Sequence, residues 1–452
     1  MEPGERVLLL GASGSGKSTL LAGLAGVLGG DDEGEQRGRL LIDGVPAGAA
    51  RGRVGLVLQD PETQVLMARV GDDVAFGCEN LGVAHDEIWR RVDDALDAVG
   101  LRVSRDHPSE RLSGGQKQRL ALAGVIAMRP GLILLDEPTA NLDPDGVREV
   151  VAAVTALAAV TGSTVIVVEH RVAAWRQFAE RVVVLGPDGR VLADGTPDSV
   201  LDLEGAALAA MGVWVPGQEP RLRVAAPDVG ADLLTAEGLA VAREPAHVIL
   251  SALDVTITER QAVAVTGPNG VGKSTLALTV AGLIPPAAGV LRAESMLASG
   301  LGPHPIRWKS RDLLPRIGVV FQSPEHQFLA STVRDELAVG PRALNMPSAA
   351  VADRVDELLE RLGLTELASA HPFTLSGGQQ RRLSVGTALA VSPRLLVLDE
   401  PTFGQDSVTW SALVRLLAEV RGAGTALLLV THDELLAPAL TATSWELRRG
   451  AA

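Results

Sequence analysis

Two stretches of the sequence share a pattern of glycines followed by a lysine and a hydroxyl side chain. One reads GASGSGKST and the other GPNGVGKST, and both fit G-x-x-x-x-G-K-[ST]. Glycines let backbone N–H groups turn towards phosphate oxygens, and the helix that follows such a loop adds the positive end of its dipole. Each stretch therefore predicts a site for the phosphates of a nucleotide. The predicted phosphate-binding residues are Gly11, Ala12, Ser13, Gly14, Ser15, Gly16, Lys17, Ser18 and Thr19 in the first copy and Gly267, Pro268, Asn269, Gly270, Val271, Gly272, Lys273, Ser274 and Thr275 in the second.

The elements around these two phosphate loops are the ones that such a loop needs. Apolar runs at 7–10 and 262–265 predict a strand before each loop, and runs at 20–27 and 276–283 predict a helix after it. The alternative is a glycine-rich surface turn with a chance lysine, and the recurrence of the whole context disfavours it. In a phosphate loop the lysine reaches the β- and γ-phosphates and the next hydroxyl holds Mg²⁺.

An aspartate followed by a glutamate ends an apolar run in each half of the sequence. These pairs are Asp136 with Glu137 and Asp399 with Glu400, in LILLDEPT and LLVLDEPT. The carboxyl ends of parallel strands form the edge at which ligands bind in α/β folds, so each aspartate is predicted to hold Mg²⁺ there. Each glutamate is predicted to polarise the water that attacks the γ-phosphate. A solvated acidic pair at a strand end is the alternative for either dipeptide taken alone.

Five motifs recur in the same order, which indicates an internal repeat. Besides the phosphate loops and the DE pairs, they are VLQDPETQ at 57–64 with VFQSPEHQ at 320–327, called the glutamine loops below, LSGGQKQR with LSGGQQRR, and VEHR with VTHD. The near-constant offset of 256 to 263 residues predicts two homologous domains, 1–215 and 234–452. The segment 216–233, rich in Pro, Gly and Arg, is predicted to be a linker.

The two copies differ ahead of their phosphate loops. The second loop is preceded by SALDV and ITERQAVAV, predicted to form a pair of short strands, whereas ten residues precede the first. Two explanations stay open: the first domain lacks these antiparallel strands, or the given start lies downstream of the native one, which we favour.

Composition narrows the class of protein. The 452 residues carry a net charge of −14, which argues against a large nucleic-acid footprint, and the single cysteine, Cys78, excludes an intrachain disulfide and a cysteine-rich zinc site. An uncharged window at 150–168 is long enough to raise the question of a membrane span. Its turn-like cluster at 161–164 predicts instead a short helix and the strand Thr164–Val168.

The order of phosphate loop, glutamine loop, LSGGQ, DE pair and histidine resembles that of ATP-binding cassette (ABC) ATPases, twice over nearly the whole chain. The resemblance implies an α/β fold with two tandem P-loop NTPase domains, each a mainly parallel sheet with flanking helices and a helical subdomain that carries LSGGQ. It implies ATP and Mg²⁺ as cofactors and hydrolysis of ATP as the reaction.

The resemblance also implies a role for each motif, residue by residue. The histidines of VEHR and VTHD contact the γ-phosphate, and the first glutamine of each glutamine loop touches Mg²⁺ and the attacking water. The implied catalytic residues are Glu137, Glu400, His170, His432, Gln59 and Gln322. The implied Mg²⁺ ligands are Ser18, Gln59, Asp136, Ser274, Gln322 and Asp399. The segments 141–143 and 404–406 are implied to be the D-loops.

In ABC ATPases the LSGGQ turn acts on the nucleotide of the opposite domain in a head-to-tail pair, which a fused tandem chain supplies within one molecule. The implied γ-phosphate ligands are Ser113, Gly114, Gly115, Ser376, Gly377 and Gly378. Because every catalytic position is filled in both halves, we expect two hydrolysing sites and one copy of the chain per transporter.

The segments after the glutamine loops resemble those of energy-coupling factor transporter ATPases, the importers of cobalt, nickel and vitamins. A second glutamine, Gln64 or Gln327, closes a Q-x-P-x-x-Q pattern in each. This resemblance implies a transmembrane coupling subunit and a small substrate-capturing membrane protein as partners, and a cytoplasmic location on the inner face of the cell membrane. Vitamins, their precursors and metal ions all remain open as substrates.

Other tandem ABC ATPases are the alternatives, namely sugar importers and ribosome-associated translation factors. The short connection between the halves, without a long charged helix, disfavours the ribosome-associated class. The chain departs from ABC ATPases in one respect, because the segment 239–243 lacks the aromatic residue on which adenine commonly stacks. Arg243 is the candidate to replace it through its planar guanidinium.

Overall fold

A computed structural model describes residues 1–28, 37–50, 52–139, 142–244 and 247–448, without the side chains of residues 61 and 62. The chain forms two compact units, Met1–Glu219 and Pro220–Ala452. The division falls inside the segment predicted as a linker. Part of that segment is bonded to the second unit, since the Val224 N–H donates to the Ala439 carbonyl at 2.8 Å.

The first unit contains a six-stranded sheet in the order β4-β5-β6-β1-β7-β8 and a two-stranded hairpin, β2-β3. Its strands are β1 (Arg6–Gly11), β2 (Leu41–Ile42), β3 (Val45–Pro46), β4 (Val54–Val57), β5 (Leu132–Asp136), β6 (Thr164–Val168), β7 (Arg181–Leu185) and β8 (Val191–Gly195). Its helices are α1 (Lys17–Leu24), α2 (Val70–Asn80), α3 (His85–Ala98), α4 (Gly114–Met128), α5 (Pro144–Thr161), α6 (Val172–Trp175) and α7 (Gly205–Ala210), with 3₁₀ turns at Ala47–Ala49, Pro61–Gln64 and Ser109–Arg111 and a π turn at Asp198–Leu203. In the six-stranded sheet the strands are parallel except β8, which is antiparallel to β7, and the strands of the hairpin, β2 and β3, are antiparallel to each other.

The second unit contains a five-stranded parallel sheet in the order β13-β14-β15-β11-β16 and a three-stranded antiparallel sheet, β10-β9-β12. Its strands are β9 (Asp232–Ala242), β10 (Val248–Thr258), β11 (Ala262–Thr266), β12 (Ala288–Ala293), β13 (Ile317–Val320), β14 (Leu395–Asp399), β15 (Ala426–Val430) and β16 (Thr443–Glu446). Its helices are α8 (Lys273–Val280), α9 (Ser295–Ala298), α10 (Ser310–Leu313), α11 (Val333–Ala343), α12 (Ser348–Arg361), α13 (Gly377–Leu389), α14 (Ser407–Gly422) and α15 (Leu436–Ala439), with 3₁₀ turns at Pro305–Arg307, Pro324–Gln327, Thr365–Leu367 and Pro372–Thr374.

The central strands are buried along their whole length, as expected of a parallel sheet with helices on both faces. All residues of β5, β14 and β15 are buried, which explains their continuous apolar sequences. In each unit the strands before the glutamine loop, the DE pair, the histidine and the phosphate loop are neighbours and run the same way. Their carboxyl ends therefore bring these four motifs to one edge of the sheet. The predicted α/β P-loop fold is confirmed.

The LSGGQ turns lie outside the sheet, at the start of α4 and of α13. In the first unit α2, α3 and α4 pack against one another, and in the second α11 packs against both α12 and α13. Each unit therefore has the helical subdomain that the resemblance implied.

The region before the second phosphate loop differs from the prediction. SALDV and the start of ITERQAVAV belong to one strand, β10, because this segment pairs with β9 from Val248 to Thr258. Only the end of ITERQAVAV forms the separate strand β11.

The uncharged window at 150–168 is divided by Gly162, whose φ of 65° ends α5 in a left-handed cap before β6 begins. The predicted strand Thr164–Val168 has those bounds, but the helix before it is longer than predicted because it begins at Pro144. Within the described residues, none of the helices has the length and apolar content that crossing a membrane requires.

Candidate functional site: a nucleotide site at the sheet edge of each unit

Each phosphate loop connects a buried strand to a helix that begins at the predicted lysine. Gly16 and Gly272 precede these helices with φ of 87° and 103°, values that a residue with a Cβ adopts only under strain. The Lys17 ammonium donates to the carbonyls of Gly11 and Ala12, both at 2.9 Å, and Lys273 makes the same pair of bonds at 2.9 and 3.0 Å. Both lysines are thus held over their own loops.

In each unit the serine and the aspartate predicted to hold Mg²⁺ lie together, whereas Gln59 is bonded to Glu137 and Gln322 is exposed. The hydroxyl of Ser18 hydrogen-bonds the carboxyl of Asp136, and Ser274 does the same to Asp399. Burial raises the pKa of Asp136 to about 6 although the hydrogen bond from Ser18 acts to lower it. Burial likewise raises the pKa of Asp399 although the bond from Ser274 acts to lower it. The Oδ1 atom of Asp136 is buried without a hydrogen-bond partner among the described residues. A hydroxyl and a desolvated carboxylate oxygen are ligands that suit Mg²⁺, so this pair fits the ion.

In the first unit the predicted catalytic side chains form a connected cluster. The Glu137 carboxylate accepts from Gln59 Nε2 at 3.1 Å and lies 3.1 Å from His170 Nε2. Burial acts to raise the pKa of Glu137, but the charge of His170 and the hydrogen bonds from His170 and Gln59 outweigh it and lower the pKa. Burial acts to lower the pKa of His170, and Glu137 more than compensates, so that pKa is raised. Glu137 is therefore held as a carboxylate.

The second unit brings the same residue types together in a different arrangement. The Glu400 carboxylate accepts the backbone N–H of His432 at 3.0 Å, while the ring of His432 lies 2.9 Å from Asn269 Oδ1 in the phosphate loop and 4.0 Å from Glu400. Burial and the neighbouring charge of Asp399 raise the pKa of Glu400 to about 7. Gln322 is exposed. The two sites share their residue types but differ in electrostatics.

Both catalytic glutamates have a strained backbone conformation, with positive φ. Glu137 and Glu400 have φ of 47° and 51°, in the left-handed region that costs a non-glycine residue roughly 1–3 kcal/mol. Each N–H bonds the neighbouring histidine strand, to Val168 and Val430 respectively, at 2.9 Å. This bond stabilises a turn that leaves the carboxylate beyond the strand end.

We call the LSGGQ segments Leu112 to Gln116 and Leu375 to Gln379 the signature turns. The glutamine that ends each turn helps to cap the helix that follows. Ser113 caps α4 by accepting the Gln116 N–H, and the Gln116 side chain accepts the Ser113 N–H in return. The same reciprocal capping box starts α13. After the capping serines, Gly114 and Gly377 are exposed, Gly115 is half-buried and Gly378 is buried.

The second glutamine of each Q-x-P-x-x-Q pattern holds its loop closed. Gln64 accepts the Leu58 N–H at 2.7 Å and donates to the Leu56 carbonyl at 3.1 Å. Gln327 makes the equivalent bonds to Phe321 and Val319, both at 2.9 Å. This glutamine replaces the strand pairing that the backbone loses as it leaves the sheet, which explains the pattern physically.

The two D-loops are partly described, since Asn141 lies outside the described residues. Asp143 caps α5 by accepting the Gly146 N–H at 2.9 Å, and Asp406 caps α14 by accepting the Thr409 N–H at 2.8 Å. Arg243 is exposed just after β9, and its predicted contact with adenine stays a prediction.

Sequence reasoning missed the carboxylates that anchor the histidine loops. Glu169 is buried and accepts the Thr139 and His170 N–H groups at 2.9 and 3.1 Å. In the second unit Asp433 takes this part by accepting from Thr402 Oγ1 at 2.8 Å and from Trp410 Nε1 at 2.6 Å. The acidic residue that directly precedes or follows each histidine was the available signal.

Comparison with known proteins agrees with this geometry. The family model described as "ABC transporter" matches residues 1–140 and 250–403. The chain is 35% identical over 464 residues to "Putative HMP/thiamine import ATP-binding protein YkoD" of Bacillus subtilis, with 96% of this chain and 82% of that protein covered. It is 34% identical to an ABC transporter ATP-binding protein of Streptomyces avermitilis, with 97% and 86% covered.

Among solved structures, the chain resembles archaeal ribosome recycling factor aABCE1 in its complex with ribosomal stalk protein aP1. The TM-score is 0.62 over 98% of this chain and 83% of that one, at 20% sequence identity. An identity this low supports a shared fold only.

Proposed function

This chain belongs to the ABC transporter family of ATPases, which hydrolyse ATP, and on that premise we propose that it is the motor subunit of an energy-coupling factor type importer. In this proposal its two ATP sites drive uptake of a vitamin, a vitamin precursor or a metal ion through separate membrane subunits. The proposed location is the cytoplasmic face of the cell membrane.

The observation that carries the catalytic part is the convergence of four motifs at one sheet edge in both units. A glutamate on a strained turn lies beside a hydroxyl–carboxyl pair and beyond a lysine-bearing phosphate loop. Neither unit has lost one of these residues, which supports two hydrolysing sites.

We assign the following steps to the chain's own residues. Bound MgATP supplies a γ-phosphoryl group whose charge the metal partly neutralises. Ser18 with Asp136, and Ser274 with Asp399, would hold the Mg²⁺ ion. The lysines give up their loop carbonyls for phosphate oxygens, and Glu137 and Glu400 accept a proton from the attacking water.

His170 and His432 are proposed to orient that reaction, and Gln59 and Gln322 to position the water. The N–H groups of the signature turns are proposed to bind the γ-phosphate held by the other half of the chain, as the resemblance implies.

Exposed leucines beside the glutamine loops support a protein partner. Leu66 and Leu329, which occupy the same position of the repeat, are 63% and 80% exposed. A buried or half-buried carboxylate holds each in place: Asp73 accepts the Leu66 N–H and Glu336 accepts the Leu329 N–H, both at 2.8 Å. A large apolar side chain kept exposed in both copies suits an apolar helix of a transmembrane coupling subunit.

The name of the B. subtilis relative points to import of HMP or thiamine. Among the vitamins, precursors and metals that the proposal allows, we therefore propose thiamine-type compounds as the first substrates to test. The substrate itself would be captured by a membrane partner, so its selectivity would lie outside this chain.

The catalytic assignment is tested with Glu137→Gln and Glu400→Gln, separately and together, in the full chain. Each glutamine keeps the size of the side chain but cannot take the proton, so we expect hydrolysis to fall at least 10²-fold in the double variant while ATP still binds. Unchanged turnover in the double variant would refute the assignment.

The partner is tested by affinity purification from membranes of the native host. We expect two polytopic membrane proteins to co-purify, and Leu66→Asp with Leu329→Asp to release them without altering basal ATP hydrolysis. Leu203→Asp is the matched control, because Leu203 is 83% exposed but lies away from the glutamine loops. Loss of the partners in the control as well, or co-sedimentation with ribosomes instead, contradicts the proposal.

A further inference from the structure

A buried arginine links two motifs of the second ATP site. Arg381 lies on α13 with 3% of its surface exposed. Its Nη1 donates to the carbonyls of Phe321 at 2.8 Å and Asp399 at 3.4 Å, and its Nη2 donates to the carbonyl of Gln322 at 2.5 Å. One guanidinium thus bridges the glutamine loop and the end of the DE strand.

The surroundings of Arg381 favour its charged form. Burial lowers the pKa of Arg381 to about 10, which leaves it charged at neutral pH. The charges of Glu400, Asp399 and Glu325 favour the cation, and the guanidinium also lies 5.9 Å from the centre of the Phe403 ring. The planar fork of an arginine can satisfy carbonyls from two segments at once, which a shorter amide cannot.

The first unit has no such bridge at the equivalent position. Gln118 occupies it and is buried, and its Nε2 has no hydrogen-bond partner in the described part of the chain. There the glutamine loop is connected to the DE pair through the Gln59 side chain, which donates to Glu137. The glutamine loop of the second unit is therefore attached to its DE strand through its backbone carbonyls, and that of the first unit is attached to its DE pair through the Gln59 side chain.

We propose that Arg381 is a positioning residue that fixes the Gln322 loop against the end of β14, so that the glutamine loop of the second ATP site is restrained through its backbone, whereas that of the first is connected to its DE pair through the Gln59 side chain. Arg381 reaches the loop and the strand from one helix, so any movement of α13 is transmitted to Gln322. This inference rests on the proposed role of the glutamine loops in hydrolysis.

The test compares Arg381→Gln with Arg421→Gln in the full chain. The first variant carries the residue that the first unit already has at this position, which favours folding. Arg421 is the matched control: it is 1% exposed and also donates to backbone carbonyls, those of Leu440 and Ala225, but none of these belongs to the ATP site. Both variants lose a buried guanidinium of the same kind.

Steady-state hydrolysis separates positioning from stability. We expect Arg381→Gln to lower kcat about tenfold with KM changed less than about twofold, because a displaced loop misplaces the water while nucleotide contacts remain. Arg421→Gln is expected to lower the Tm but to leave kcat and KM of the folded protein within about twofold. Equal loss of kcat in both variants, or an unchanged kcat in Arg381→Gln, overturns the inference.

Hydrogen exchange tests the restraint without requiring catalysis. Amides of residues 317–327 should exchange about tenfold faster in Arg381→Gln and at the wild-type rate in Arg421→Gln, while residues 54–64 are unchanged in both. Arg381→Lys is the second variant; it keeps the charge without the planar fork, so a smaller increase is expected. Wild-type exchange in both Arg381 variants contradicts the inference, whereas a wild-type chain that hydrolyses no ATP contradicts the proposed function instead.

Discussion

Removing the charge of Asp136 should stabilise the nucleotide-free protein while abolishing its activity. The carboxyl is 5% exposed, and burial raises its pKa from the ordinary 3.8 to about 6. Between these values the folded state binds more protons than the unfolded state, so stability falls as the pH rises. For pKa values of 3.8 in the unfolded state and about 6 in the folded state, this carboxyl lowers the free energy of unfolding by about 1.6 kcal/mol at pH 5 and by about 3 kcal/mol at pH 8. Above pH 8 the loss is constant.

Asp136→Asn keeps the shape of the side chain and carries no charge, so it should escape this penalty. We expect the gain in stability over wild type to grow by about 1.4 kcal/mol from pH 5 to pH 8. For a unit of this size that growth corresponds to a Tm difference that widens by roughly 3–6 °C. Hydrolysis of ATP should be lost, because the amide lacks the negative charge with which the carboxylate would hold Mg²⁺.

The measurement is thermal unfolding at several pH values in EDTA without nucleotide, followed by tryptophan fluorescence. Asp97→Asn, an exposed substitution on α3, is the control and should change stability by less than about 0.5 kcal/mol at every pH. A difference between Asp136→Asn and wild type that does not vary with pH would show that burial does not penalise this carboxylate. Added Mg²⁺ with ATP should stabilise wild type more than the variant.

Two further predictions concern packing. Trp410→Phe removes the hydrogen bond from Nε1 to Asp433. It should lower the free energy of unfolding of the second unit in urea by about 1–3 kcal/mol, since a hydrogen bond to a charged group is lost. An equal loss from Val147→Ala, at the equivalent position of the first unit, would assign the effect to packing alone. Cys78 is fully buried and burial raises the pKa of its thiol, so a thiol reagent at pH 8 should label it only as the first unit unfolds. Rapid labelling of the native protein would contradict this.

Several features could be predicted from the sequence because their causes are local. The strands Thr164–Val168 and Ala426–Val430 have the bounds that their apolar runs indicated, since a buried strand is a short apolar run between turn residues. The phosphate loops depend on glycines within nine residues, and Asp136 lies at its strand end because the apolar run stops there. The apolar run predicted that α1 begins at residue 20, three residues after its observed start at Lys17. The prediction is late because the last residues of the phosphate loop already form the first helical turn.

What the tertiary structure decided is how those motifs are paired. Sheet order places β4, β5, β6 and β1 side by side, and this order follows from the crossovers between strands rather than from any single run of residues. In the second unit the corresponding order, β13-β14-β15-β11, brings the His432 ring to Asn269, 163 positions away, whereas in the first unit the equivalent His170 faces Glu137. Burial then sets the charges: the same DE pair has its glutamate pKa lowered in one unit and raised in the other, because desolvation and neighbouring charges depend on residues distant in the sequence.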